Sequence, residues 1–351
     1  IAQLGDKAQA KTIARSSGCP VIPGSDGVVS DLDEAVEVAK ELGFPIFIKA
    51  VAGGGGKGIR IAHSIDEFAR LFLSARAEAE ANFGNPGIYL EKMIVNPRHV
   101  EIQILGDKHG NYVHFGERDC SIQRRRQKLI EESPSPILTD SLREEMGAAS
   151  IALAKAAGYY SAGTVEFLVD QDRQFYFMEV NTRIQVEHTV SEECYHVDLV
   201  KEQLRVARGE TICYKQEELR PQHHVIQFRI NAENPSQNFT PSPGKLTEYL
   251  PPGGPNVRFD SACYPDCTIS PFYDSMIAKL IVRGRTREEA IATARRVLGE
   301  FYISGVHTTV PFHTELLTDQ AFLSGEYTIR YIDDEMEKGR VFGDPSSKNH
   351  A

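Results

Sequence analysis

Leu32, Ala35, Val36 and Ala39 fall at helical spacing, which predicts an amphipathic helix over 30–42. Pro45 to Ala50 reads as an apolar strand and Ile59 to Ala62 as a second, with a glycine loop between them. Ser64 and Glu67 form a capping-box pattern for a helix running to about Phe83. Ahead of this unit, Asp6 to Gly18 predicts a short helix and Cys19 to Gly27 a Pro- and Gly-punctuated loop.

From Ile88 the pattern changes to strands: Tyr89 to Ile94, Val100 to Gly106 and Tyr112 to Glu117, which suggests an antiparallel sheet. A helix over 141–157, strands over 163–170 and 174–181, and a helix over 197–209 complete an α+β body. A polar stretch, Glu217 to His224, places a domain boundary at about Leu219. Beyond it come strands near 225–232 and 244–250, and a helix opened by a second capping box, Thr286 and Glu289. The polar tail from Asp344 is expected to be disordered. There are no internal repeats.

Composition narrows the function. The 351 residues are 41% hydrophobic and 25% charged, enough to bury a core in two or three units. A net charge of −10 argues against a broad nucleic-acid surface. No apolar run approaches the roughly 20 residues that cross a bilayer, so no membrane partner is expected and a cytoplasmic setting, or an organelle stroma or matrix, is. Cys19, Cys120, Cys194, Cys213, Cys263 and Cys267 lack metal-ligand spacing and read as reduced packing thiols.

Ala52 to Gly58 (AGGGGKG) leaves backbone N–H groups free to approach a phosphate, but it is not a Walker loop, because Gly58 follows Lys57 and a strand comes next. Lys49 ends a buried-looking strand beside it, where a charge calls for an anion. The loop therefore reads as a lid over a nucleotide.

The turn Gln171 to Gln174 sets Glu166 opposite Glu179, with Cβ atoms about 4.5–5.5 Å apart, where two carboxylates repel without a cation between them. Asn181 projects from the same face as Glu179 and adds a neutral oxygen, a set suited to magnesium or manganese. If the segment stays extended, Arg183, Gln185 and Glu187 follow on that face. Arg183 can then fork onto a small carboxylate-like anion and Glu187 can take its proton. The basic run Gln123 to Lys128, flanked by Glu117, Asp119, Glu131 and Glu132, reads as a local network around anionic ligands.

Taken in order, Gly5-Asp6-Lys7, Lys49 with AGGGGKG, Glu91-Lys92, Pro97 to Glu101, Glu117 to Ser121, NTRIQVEH at Asn181 to His188, Arg229 to Glu233 and Tyr273 to Met276 resemble the biotin carboxylases. The resemblance covers nearly the whole chain. It implies an ATP-grasp fold with a mobile glycine-loop lid at about 21–94 within an ATP-grasp domain over 1–219, then a biotin carboxylase C-terminal domain over 220–335.

Residue by residue, the resemblance gives Lys7, Lys49, Gly53, Gly54, Gly55, Gly56, Lys57 and Gly58 to the phosphates of ATP. Glu91 and Lys92 go to the adenine hinge, His99 and Gln123 to the ribose, and Ile329 to an adenine cap. Glu166, Glu179 and Asn181 match metal positions. Lys128, Arg183, Gln185, Val186 and Glu187 match a bicarbonate pocket, and Arg229 matches the arginine that stabilises the biotin enolate. Glu187, Arg229, Arg183 and Lys128 are thus the expected catalytic residues.

The implied partners are a biotin carboxyl carrier protein and a carboxyltransferase, with a homodimer expected when the family's N-terminal domain of roughly a hundred residues is present ahead of Ile1. The parent enzyme is expected to be an acetyl-CoA carboxylase of fatty acid biosynthesis. Pyruvate or propionyl-CoA carboxylase, another ATP-grasp ligase, and a non-catalytic nucleotide-binding subunit are the alternatives. Arg126 stands where the family often carries His or Asn, Thr189 where Pro is frequent, and Glu193 to His196 departs from the usual stretch.

Overall fold

The computed structural model describes residues 1–29, 31–51 and 58–343, apart from the side chains of residues 8 and 83. Its contacts divide into two compact units, Pro20–Val95 and Ile1–Cys19 with Asn96–Ala351. Residues 52–57, which include Gly53 to Gly56 and Lys57, and the tail 344–351 lie outside the described residues.

In the smaller unit, strand β1 (Ile46–Ala50) lies between β2 (Ile59–Ala62) and β3 (Ile88–Lys92), antiparallel to both. Alternation along β1 sends Ile46, Ile48 and Ala50 into a core completed by Ala35 and Ala39 of the helix Leu32–Leu42 and by Phe68, Phe72 and Ala75 of Ile65–Phe83. The Asp31 carboxylate caps the first helix, accepting from the Glu34 N–H at 2.9 Å. Two expectations change here. β3 belongs to this small sheet, not to the antiparallel run that follows it. Ser64 makes no side-chain cap: the Glu67 carboxylate instead takes up the N–H of His63, one residue before the cap position.

The larger unit is built on eight antiparallel strands: β4 (Arg98–Gly106), β5 (Tyr112–Arg124), β6 (Gln127–Ser133), β7 (Ser161–Val169), β8 (Phe175–Asn181), β9 (His224–Asn231), β10 (Val257–Ser261) and β11 (Met276–Gly284). Their order is β10-β11-β9-β6-β5-β4-β7-β8, so the sheet is continuous across residue 219. β6, β10 and β11 escaped the sequence pattern. β5 runs seven residues past Glu117, because the basic run alternates around the buried Ile122 instead of ending the strand.

Ile130, Phe228, Ile230 and Leu280 pack against Ala290, Ala294 and Val297 of the helix Arg287–Glu300. A second cluster gathers Leu105, Phe115 and Ala162 with Val190 of the helix His188–Tyr195 and Leu199 of Leu199–Ala207. The sheet is therefore covered on both faces, and β4 is buried along its whole length. Its polar residues, His99, Glu101 and Gln103, are buried with it.

Candidate active site

Arg118 on β5, Glu101 on β4, Glu166 on β7 and Glu179 on β8 are successive cross-strand partners, so one register row crosses four strands. Three carboxylates stand side by side in it, an arrangement that repels without compensation. The sequence pattern anticipated the Glu166 and Glu179 pair. Glu101 was missed, although polar residues at 99, 101 and 103 of an otherwise apolar strand carried the signal.

Two cations hold the row. Arg118, fully buried, donates to Glu101 Oε1 and Gln103 Oε1 at 2.7 Å, to Ser191 Oγ at 2.9 Å, to Gln185 Oε1 at 3.0 Å and to Thr164 Oγ1 at 3.1 Å. Lys128 Nζ reaches Glu101 Oε2 at 2.7 Å, Glu166 Oε1 at 3.2 Å and Glu187 Oε1 at 2.5 Å. Burial alone would discharge these groups. For Lys128 it is outweighed by Cys120 and the carboxylates of Glu101, Glu187 and Glu166, which hold the ammonium well above its ordinary range. Burial likewise pushes the Glu101 carboxyl up, and Lys128 and Arg118 bring it below the usual value. Glu187 is raised by burial and by Glu101, then lowered further by Lys128, Arg229 and Arg118, so it is ionised.

Asn181 Nδ2 and Gln185 Nε2 both donate to Glu166 Oε1 at 2.8 Å, and Lys7 Nζ meets Glu179 Oε2 at 2.8 Å. His99 Nε2 lies 3.0 Å from Glu166 Oε2 without the alignment of a hydrogen bond, and its other ring nitrogen is 3.4 Å from Gln123 Nε2. Glu166, Glu179 and Asn181 thus present oxygen donors from one edge pair of strands, a set that fits a hard divalent cation.

Past Asn181 the chain does not stay extended, contrary to the alternating strip expected from the sequence. Residues 182–187 form a loop and a turn leading into the helix His188–Tyr195. Gln185 and Glu187 are buried, while Arg183 and Val186 turn outward. Arg183 donates to the Ile184 carbonyl at 3.1 Å and to Asn181 Oδ1 at 3.4 Å. The cause is Arg118, whose bonds to Gln185 and Ser191 draw the chain back over the sheet.

Arg229 on β9 closes the cluster, donating through Nε to Glu131 Oε1 at 2.6 Å and through Nη2 to Glu187 Oε2 at 3.0 Å. Glu131 was read only as a counter-charge to the basic run. That run divides: Lys128 enters the cluster, Arg124 bonds Asn238, and Arg125 and Arg126 form the exposed turn between β5 and β6.

Within the smaller unit, Lys49 pairs with the Glu91 carboxylate, and Lys92 Nζ donates to the carbonyls of Gly43 at 2.9 Å and Phe44 at 3.1 Å. The anion that Lys49 called for is therefore supplied by the protein. Gly58, with φ at +78°, accepts from the Ala50 N–H at 2.9 Å. In the larger unit, Ile329 is half-buried and its N–H donates to the Pro97 carbonyl at 3.0 Å.

Residues 6–215 match the family described as carbamoyl-phosphate synthase L chain, ATP binding domain, and residues 227–334 match the biotin carboxylase C-terminal domain. The chain is 53% identical over 334 residues to biotin carboxylase 1 of Bacillus subtilis, covering 95% of this chain and 74% of that protein. It belongs to the biotin carboxylase family. The chloroplastic biotin carboxylase of Arabidopsis thaliana is 54% identical over 94% of this chain, which spans 61% of that relative's length. Among solved structures, the biotin carboxylase domain of a thermophilic 2-oxoglutarate carboxylase bound to bicarbonate superimposes with a TM-score of 0.91 at 45% identity, covering 96% of this chain and 74% of that one. The fold is thus the ATP-grasp biotin carboxylase fold with its C-terminal domain. Among the described residues no helix is long and apolar enough to cross a membrane.

Proposed function

We propose that this chain carboxylates biotin borne on a carrier protein, using ATP and bicarbonate. One observation carries the reading: an ionised, buried Glu187 is clamped between Lys128 and Arg229, with Gln185 alongside. The pocket keeps this carboxylate ionised and so able to take a proton, and the two cations around it suit a small anion.

In this reading Glu187 takes the proton of bicarbonate, whose oxygen attacks the γ-phosphorus of ATP and releases ADP, giving carboxyphosphate. Lys128 offsets the charge that develops. Carboxyphosphate breaks down to carbon dioxide and phosphate. The phosphate removes the N1 proton of biotin, Arg229 holds the enolate oxygen, and N1 attacks carbon dioxide. Arg183, Gln185 and Val186 complete the bicarbonate pocket, Arg183 by swinging in from its present bond to the Ile184 carbonyl.

Glu166, Glu179 and Asn181 would hold magnesium or manganese, which neutralises phosphate charge when bound. Lys7, His99, Gln123 and Ile329 on the larger unit, and Lys49, the 53–58 loop, Glu91 and Lys92 on the smaller, are assigned to the nucleotide by resemblance. The domain assignment is an ATP-grasp domain over 1–219 with the lid at about 21–94, and a C-terminal domain over 220–335. A cytoplasmic homodimer serving the carrier protein and carboxyltransferase of an acetyl-CoA carboxylase is the setting we infer.

The test is bicarbonate-dependent ATP hydrolysis by the purified protein, with and without free biotin. Dependence on bicarbonate with stimulation by biotin supports the reading. Turnover indifferent to biotin points to another ATP-grasp ligase, and none at all to a non-catalytic subunit.

A further inference from the structure

Arg229 is the group expected to meet biotin, and a chain of hydrogen bonds links its side chain to residues on its own strand and on two other elements. Glu131, on β6, is the direct cross-strand partner of Gln227 on β9, and Arg229 lies two residues further along the same face. Glu131 Oε1 accepts from Arg229 Nε at 2.6 Å, and Oε2 accepts from Gln227 Nε2 at 2.9 Å. Gln227 Oε1 in turn accepts from the hydroxyl of Thr189, in the first turn of the helix His188–Tyr195. Thr189, Gln227 and Glu131 are each fully buried.

The Glu131 end sets the polarity of this chain. Glu131 accepts at both oxygens, from Arg229 and from Gln227, so Gln227 turns its NH2 toward Glu131 and its oxygen toward Thr189, while burial raises the Glu131 carboxyl and Arg229 offsets this only in part. The Thr189 hydroxyl, able to donate or accept, here donates and gives the buried amide oxygen its partner, which supports the orientation that Glu131 selects. With the amide reversed, Gln227 Oε1 would face the Glu131 carboxylate, repelling it and loosening its hold on Arg229 Nε. Below the side chain, the Arg229 carbonyl accepts from Thr309 Oγ1 at 2.8 Å and sits 2.8 Å from His313 Nε2, so the strand itself is anchored. The guanidinium is held at two points, by Glu187 at Nη2 and by Glu131 at Nε, and the chain from Thr189 supports the second.

We propose that Thr189 and Gln227 are positioning residues for Arg229, acting through Glu131; this rests on the reaction proposed above. Among the described residues, neither Thr189 nor Gln227 hydrogen-bonds to the bicarbonate-pocket residues Lys128 or Gln185. Arg229 also holds Glu187, which Lys128 holds independently, so loss of Thr189 or Gln227 is expected to weaken the biotin step more than carboxyphosphate formation.

The experiment compares two rates in the intact protein: biotin carboxylation, and bicarbonate-dependent ATP cleavage without biotin. Thr189→Val keeps shape and removes the proton. Its ratio of biotin carboxylation to ATP cleavage is expected to fall about tenfold, the scale of one misplaced contact in a reacting site, with KM for ATP unchanged. Thr189→Ser, which restores the donor, is expected to recover the ratio. Gln227→Met, which removes both links, is expected to fall further. Wild-type ratios in Thr189→Val and Gln227→Met overturn the proposal, as does a Thr189→Ser that behaves like Thr189→Val. If neither Thr189→Val nor Gln227→Met unfolds cooperatively, the chain serves the fold and the proposal is again overturned. Absence of bicarbonate-dependent cleavage in the wild type strikes the function reading instead, so the two failures are distinct.

Discussion

Glu131 and Glu132 are neighbours on β6, point to opposite faces, and enter two buried charge clusters of different kinds. Around Glu132 the charges are matched and saturated. Its carboxylate accepts from Arg287 at 2.8 and 3.1 Å, from His224 at 2.9 Å and from the Tyr327 hydroxyl. Nearby, Asp119 is met by Arg98 at 2.7 Å, and the guanidinium of Arg98 stacks 3.6 Å above the Tyr327 ring while donating to the carbonyls of Gly325 and Tyr327. Around Glu131 the carboxylates of Glu101, Glu131, Glu166 and Glu187 share Lys128, Arg118 and Arg229, one cation fewer than the acids. A cluster with every charge matched holds elements together. One with surplus acid is organised around something still to arrive, and a metal and its phosphates would complete it.

The sharpest way to break this contrast is to neutralise one acid in each cluster. Glu187→Gln is expected to lower bicarbonate-dependent ATP turnover by about 10²–10⁴-fold, the range for a lost general base. Its unfolding free energy should change by less than about 1 kcal/mol, because the lost bonds to Lys128 and Arg229 are offset by relief of the repulsion from Glu101. Glu132→Gln should do the reverse. It leaves Arg287 and His224 short of a buried counter-charge, and is expected to cost about 3–5 kcal/mol of stability in urea unfolding, with kcat per folded molecule little changed. Equal stability losses in both variants would dissolve the distinction.

Acid sensitivity sharpens it further. Burial pushes the His313 imidazole down to about 4, and burial with Arg143 and Arg220 nearby pushes His114 to about 4 as well. Between the unfolded value of about 6.5 and those folded values, the unfolded chain binds protons that the folded chain does not. Stability therefore falls as pH drops through that window, by roughly 2 kcal/mol per histidine at pH 5. Glu132 adds to the loss lower down. Burial alone would raise its carboxyl, but His224 and Arg287 hold it well below the usual range, so its contribution is present above about 4.3 and disappears under it. The measurement is the unfolding midpoint from pH 7 to pH 4 in the wild type and in His313→Asn. A slope identical in both would remove His313 from the account and leave the acid sensitivity to His114 and Glu132.

How far the site could be read in advance depended on whether its residues are joined by local pattern or by long-range pairing. The Glu166 and Glu179 pair was expected from the turn, yet the turn's register, Val169 with Phe175 and Phe167 with Phe177, reaches it only through a one-residue shift between Glu166 and Phe167, after which Asn181 follows from strand alternation. Arg118 faces Glu101 across the short 107–111 connection, but the row joins Glu101 to Glu166 through β7, whose register with β4 no local turn sets. The strip after Asn181 misled because alternation was extended past the end of the edge strand, where Arg118, 63 residues before Asn181 in the chain, pulls Gln185 inward. The α+β pattern and most helices were visible from periodicity. β6 was hidden because the adjoining charges Glu131 and Glu132 look like a solvated pair until the sheet shows that both are buried.

The basic run supplies the smallest test and the most direct check on reading charge as chemistry. Gln123 to Lys128 looked like one network, yet β5 and β6 are joined through Arg125 and Arg126 at φ of 47° and 67°, both in the left-handed region. A two-residue hairpin with positive φ at both centres favours Asn-Gly, so arginine here is strained and exposed. Replacing the pair, Arg125→Asn with Arg126→Gly, is expected to stabilise the protein by about 0.5–1 kcal/mol, read as a small rise in melting temperature. KM for ATP and the bicarbonate-dependent rate should hold, because Lys128 reaches the Glu187 cluster from the strand and not from the turn. A raised KM for ATP would return the two arginines to the site and make the run a single functional unit after all.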